Sequence, residues 1–101
     1  MPDWVRVAAV NELPQRTGKE VVAGNRVLAL FLVGETVYAI DGICLHAGGP
    51  LAEGKLEGPI ITCPWHGWQY DVTTGRHCLN ANLCTTSFPV EICDGDVFVQ
   101  V

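Results

Sequence analysis

Basic residues are scarce in this chain of 101: six Lys and Arg stand against eleven Asp and Glu, giving a net charge of -5. That balance argues against nucleic-acid binding, which needs clustered Lys and Arg on phosphates. It argues equally against docking on an anionic membrane face. An acidic surface suits a basic patch on a protein partner. Long apolar runs are also missing. The longest, Val27 to Val33, is far short of the roughly 20 residues that span a bilayer. The opening Met1-Pro2-Asp3-Trp4 lacks a basic region followed by an apolar stretch, so the chain is expected to be cytoplasmic, with no membrane partner. Helical periodicity is nearly absent, as are repeats and low-complexity tracts. Histidine is rare: His46, His66 and His77 are all there are.

What the chain does have is short β-branched and aromatic runs punctuated by Gly, Pro, Asn and Asp. These predict strands over Trp4–Ala9, Glu20–Ala23, Arg26–Val33, Thr36–Asp41, Ile60–Cys63, Gln69–Asp71, Val90–Cys93 and Asp96–Val101. Gly34-Glu35 and Asp94-Gly95 are hairpin loops of the primed-turn kind. Asn11 to Pro14 has room for one helical turn at most. Many short strands with tight turns predict an all-β fold, an antiparallel sandwich or partly open barrel, in one domain spanning residues 1–101.

The region from Gly42 to Gly67 departs from this pattern. It is rich in Cys, His, Gly and Pro and reads as two loops. Cys44-Leu45-His46 lies in one, Cys63-Pro64-Trp65-His66 in the other, with sixteen residues between His46 and Cys63. Each pair offers a thiolate and an imidazole within one turn of chain, so both loops can present ligands to one metal centre. Five cysteines in a cytoplasmic chain fit ligands or buried thiols better than disulfides. Glycines follow both pairs, at 48, 49 and 67, and let backbone amides approach a bound anion or sulfide. Structural zinc is one reading, since two Cys and two His make a tetrahedral set; the protein would then be a colourless binding module. Zinc spacings more often pair Cys with Cys and His with His.

Cys-x-His, then Cys-x-x-His-Gly after sixteen residues, resembles the motif of Rieske iron–sulfur proteins, and the likeness to small Rieske ferredoxins runs over nearly the whole chain. The resemblance implies one 2Fe-2S cluster, with Cys44 and Cys63 on one iron and His46 and His66 on the other, in a cluster-binding subdomain of about residues 42–67 inserted in the β framework. It implies a soluble one-electron carrier, not an enzyme by itself, between a reductase and the terminal oxygenase of a ring-hydroxylating dioxygenase system. The small subunit of an assimilatory nitrite reductase is the alternative within the family. Terminal oxygenases of such systems add a mononuclear iron held by two histidines and a carboxylate; with only His77 spare, this chain cannot build that site.

The ligand mix bears on potential. Two ferric ions, two sulfides and two thiolates sum to zero charge, so reduction is easier than for a cluster with four thiolates. High-potential Rieske proteins carry an extra, disulfide-linked cysteine in each loop and a serine after the glycine of the second loop. The matching positions here are Gly49, Trp65 and Trp68. Tyr70 matches their hydrogen-bonding tyrosine. With the disulfide and hydroxyl missing, the potential is expected in the low part of the roughly −150 to +300 mV range.

Of the other residues, His77 is expected to be a solvated loop residue, and Cys84 and Cys93 small buried fillers. Cys78 has no role in the motif. Leu79 to Asn82 lacks the proline that small Rieske ferredoxins carry in a loop covering the cluster. Trp65 is expected to face a redox partner and Trp68 to pack inward. Asp71 to Arg76 reads as a turn.

Overall fold

The computed structural model describes residues 4–43, 48–65, 67–78 and 83–101. Ten strands run through them: β1 (Trp4–Ala9), β2 (Lys19–Ala23), β3 (Arg26–Val33), β4 (Thr36–Asp41), β5 (Lys55–Glu57), β6 (Ile60–Thr62), β7 (Gln69–Asp71), β8 (Ser87–Phe88), β9 (Val90–Cys93) and β10 (Asp96–Gln100). Single 3-10 turns cover Val10–Glu12 and Leu51–Glu53. The strands form three antiparallel sheets, in the orders β1-β10-β9, β2-β3-β4-β8 and β5-β6-β7.

All eight predicted strands are present, with ends shifted by at most one residue. Two more, β5 and β8, escaped the sequence reading. Lys-Leu-Glu offers only one apolar residue to an alternation test, and Ser87–Phe88 is too short to show a period. The turn at Asp94-Gly95 has positive φ at both residues, 51° and 80°, as a primed hairpin turn requires. Gly34 takes φ 62° at the first position of the β3–β4 turn.

The sheet β2-β3-β4-β8 is the middle layer, and alternation along its strands feeds two separate cores. Leu28, Leu30, Val37 and Ala39 point one way and pack with Val97, Val99, Val21 and Ala8 beneath the β1-β10-β9 sheet. Ala29, Phe31 and Ile40 point the other way and pack with Leu51, Leu56, Ile61, Cys63 and Tyr70. Four consecutive residues of β3, Leu28 to Phe31, are fully buried. A strand covered on both faces needs an unbroken apolar run, which is why Val27–Val33 is the longest in the chain.

The outer surface contributes little by comparison. Arg6 Nη2 lies 3.0 Å from Asp96 Oδ1, with the side chains 53% and 37% exposed. Water screens a pair of that exposure, so Arg6→Met is expected to change unfolding free energy by less than about 1 kcal/mol in urea denaturation. A larger loss would mean that the pair holds the β1–β10 register at the bulge between Arg6 and Ala8.

Two expectations about cysteine need correction. Cys84 and Cys93 are exposed. Cys93 ends β9, which lies at the sheet edge, and Cys84 pairs with exposed Arg76 in an isolated bridge. Neither position turns toward a core.

Candidate metal centre

Two backbone closures hold the loops that carry the Cys–His pairs. After β4, Asp41 Oδ1 accepts the Ile43 N–H at 3.0 Å, and Gly42 N–H donates to Val27 O at 3.0 Å. Ile43 then bridges Pro50, and Leu51 N–H donates to Gly42 O at 3.0 Å. This short ladder ties Gly42 and Ile43 to Pro50 and Leu51 at the base of the first loop. In the second loop, Thr62 pairs with Gln69, and Cys63 N–H donates to Trp68 O at 2.7 Å. That bond extends the β6–β7 hairpin by one rung and encloses positions 64–67. Cys44, His46 and His66 lie outside the described residues; Cys63 lies within them, 1% exposed.

The loops meet at Gly49. A side chain there would put its Cβ 2.8 Å from Cys63 Sγ, 3.0 Å from Trp65 Cγ and 3.1 Å from Trp65 Cβ. The Gly49 backbone therefore lies close against the buried sulfur, and any side chain there forces a neighbour to give way. This contact brings a loop with one Cys–His pair against the other, as a four-ligand set of two thiolates and two imidazoles demands. The donor types and the close backbone cradle around one sulfur fit a mixed-ligand iron–sulfur cluster. The Cβ positions of 49 and 65 would be 3.1 Å apart, nearer than the about 3.5–4.5 Å of a disulfide. The two non-cysteine residues there leave the loops without that covalent link.

Among the described residues of the two loops, several apolar side chains are exposed: Trp65, which lies against Gly49, is 49% and Ile43 43% exposed, and Pro64 is exposed as well. Trp68, by contrast, is partly buried and packs on the core that contains Cys63. The two tryptophans thus divide as expected, one outward and one inward. Tyr70 is fully buried in that same core. Asp71 to Arg76 forms the expected turn: Gly75 N–H donates to Asp71 O at 2.7 Å and Thr73 N–H to Asp71 Oδ1 at 2.9 Å.

His77 is not solvated. It is 7% exposed, and its ring stands edge-on to Trp68 and Tyr70, with centroids 4.5 and 5.3 Å away. The missed signal is an alternation of period two: Gly75 is buried, Arg76 exposed, His77 buried and Cys78 exposed. A lone polar residue in so short a run gave no hydrophobic pattern to read. Next to it, partial burial pushes the Cys78 thiol pKa up, and the Asp71 carboxylate adds to the rise. A thiol held protonated is a poor ligand and a poor nucleophile. Leu79 to Asn82, where a covering loop was in question, lies outside the described residues. Among the described residues, no helix is long and apolar enough to cross a membrane.

The chain is similar to known proteins. A ferredoxin of Metapseudomonas resinovorans, CarAc, is 36% identical over 95% of this chain and 92% of its own length. The ferredoxin component of a naphthalene 1,2-dioxygenase system in Pseudomonas aeruginosa is 34% identical over 88% and 86%. Among solved structures, a chain in the complex of reduced oxygenase and oxidized ferredoxin in carbazole 1,9a-dioxygenase superposes with a TM-score of 0.86. It is 33% identical and covers 96% of this chain and 92% of itself. The family description that matches, over residues 3–89, is the Rieske [2Fe-2S] domain. A match across most of the chain, to a domain defined by its cluster, makes this protein a member of the Rieske [2Fe-2S] family with one 2Fe-2S cluster as its cofactor.

Proposed function

We propose that this protein is the ferredoxin component of a ring-hydroxylating dioxygenase system, taking one electron from a reductase and delivering it to a terminal oxygenase. The observation that carries this reading is the position of Cys63: its sulfur is buried where the two loops meet, with the exposed Trp65 against the same point of contact. When bound, the cluster supplies reversible one-electron chemistry. Cys44 and Cys63 would hold one iron, His46 and His66 the other. The protein's own part is to exclude water from the sulfur side and to shape the exit. Buried Cys63, with Tyr70 and Ile61 around it in the core, does the first. Ile43, Pro64 and Trp65 do the second, as an apolar patch from which an electron has a short path to a docked partner. Such docking is small and transient, and a net charge of -5 favours a basic partner surface. No substrate bond is rearranged, so the chain is an electron-transfer component and not the enzyme. Relatives at 34–36% identity named as ferredoxins favour this reading over the nitrite reductase subunit.

On this reading residues 1–101 are one domain, with the cluster subdomain at about residues 42–67, acting in the cytoplasm. The test is an EPR spectrum of the dithionite-reduced protein with its visible absorption and a redox titration. A red-brown protein with a rhombic signal of average g below the free-electron value supports the mixed ligand set. The potential is expected in the lower part of the Rieske range, and one above roughly +200 mV would contradict the argument from Gly49, Trp65 and Trp68. A colourless protein containing zinc would replace electron transfer with a structural role.

A further inference from the structure

We infer that His77 is a positioning residue, whose ring sets Trp68 and Tyr70 behind Cys63 and so tunes the potential of the cluster; this rests on the reading above. The imidazole is buried, and its backbone is fixed from both sides. His77 N–H donates to Leu83 O at 3.0 Å. His77 bridges Tyr70, and Cys78 N–H donates to Gln69 O at 2.9 Å. Residues 76–78 thus lie along β7 like a further strand. The turn that delivers them is locked as well: Thr85 N–H donates to Gly75 O and Asp71 N–H to Arg76 O, both at 2.8 Å.

From that fixed backbone the ring meets two aromatic neighbours at once, at 87° to Trp68 and 81° to Tyr70. Perpendicular packing places the positive edge of one ring on the negative face of another, and it needs a planar ring. An aliphatic side chain of similar volume fills the space but does not fix the angles. Both neighbours lead to Cys63. Trp68 supplies the carbonyl that accepts the Cys63 N–H at 2.7 Å, and Tyr70 shares its core. A tilt of either ring therefore changes how Cys63 is held and how dry its surroundings are. Hydrogen bonding and solvent exposure at the sulfurs set the potential of an iron–sulfur centre.

The experiment is a redox titration with EPR of the reduced form, on cluster-loaded full-length His77→Phe and His77→Leu. His77→Phe keeps a planar ring and is expected to stay closer to the wild-type potential and g values than His77→Leu. His77→Leu is expected to shift both. A loaded His77→Leu with wild-type potential and g values overturns the proposal, whatever its melting temperature, and leaves His77 a core filler. So does a His77→Phe displaced as far as His77→Leu. If His77→Leu does not load, His77→Asn takes its place with the same two outcomes. Absence of a rhombic signal from the wild type would sink the cluster reading itself, before any variant is compared.

Discussion

Gly49→Val is expected to purify largely without iron and without visible colour. The added Cβ would sit 2.8 Å from Cys63 Sγ, closer than real Cβ contacts come, and 3.0 Å from the Trp65 ring, tighter than most of them. Trp65 is 49% exposed and can swing outward. Cys63 cannot follow, because it is 1% exposed and its N–H is tied to Trp68 O at 2.7 Å. The strain falls on the gap between the loops, where the ligands must converge. Overpacking typically costs about 1–3 kcal/mol; the sheets can absorb that, while a four-ligand site assembled from two loops loses its geometry. Gly49→Ala, with the same Cβ and no branches, should bind cluster but hold it less tightly. Iron per protein by colorimetric assay, with EPR of the reduced form, decides the matter. A valine variant with full iron and the wild-type spectrum would mean that the loops part without harm, and the cradle argument would fail.

The second large effect is on stability. Phe31 is fully buried in the core that lies under the site, beside Leu51, Ile61 and Tyr70. Phe31→Ala removes a ring and leaves a cavity, a change that usually costs about 3–5 kcal/mol. Domains of this size have only about 5–15 kcal/mol in total, so much of the stability would go. The melting temperature of the loaded protein should fall by roughly 4–8 °C per kcal/mol, read by circular dichroism. A fall of only a few degrees would show that the core collapses into the space. Gly18 gives the local reason to expect otherwise: its missing Cβ would lie 2.5 Å from the Phe31 ring, so backbone, which moves less readily than side chains, already lines that side.

Sequence reasoning reached eight of the ten described strands because each alternates or runs apolar between turn residues, and it could name the Cys–His pairs as candidate ligands because four such residues at those spacings have few uses. It did not reach the properties that depend on which face a residue takes in an irregular stretch. His77 was expected in solvent because one histidine in Arg-His-Cys carries no hydrophobic signal. Cys84 and Cys93 were expected inside because small thiols usually are, whereas an edge strand and an isolated bridge turn them outward. The part played by Gly49 could be named as a position but not as a contact, since its neighbour Cys63 is fourteen residues away in the chain. Such a pairing appears only once both loops are closed.

The unbroken burial of Leu28 to Phe31 also bears on how such a carrier can diverge. A strand committed on both faces leaves almost no room for drift, because a change at each of these positions disturbs one core or the other. The outward residues at the tip, Ile43, Pro64 and Trp65, carry no such double duty. On the proposed reading, substitutions among them can fit a different partner surface while the partition between the layers stays closed to change.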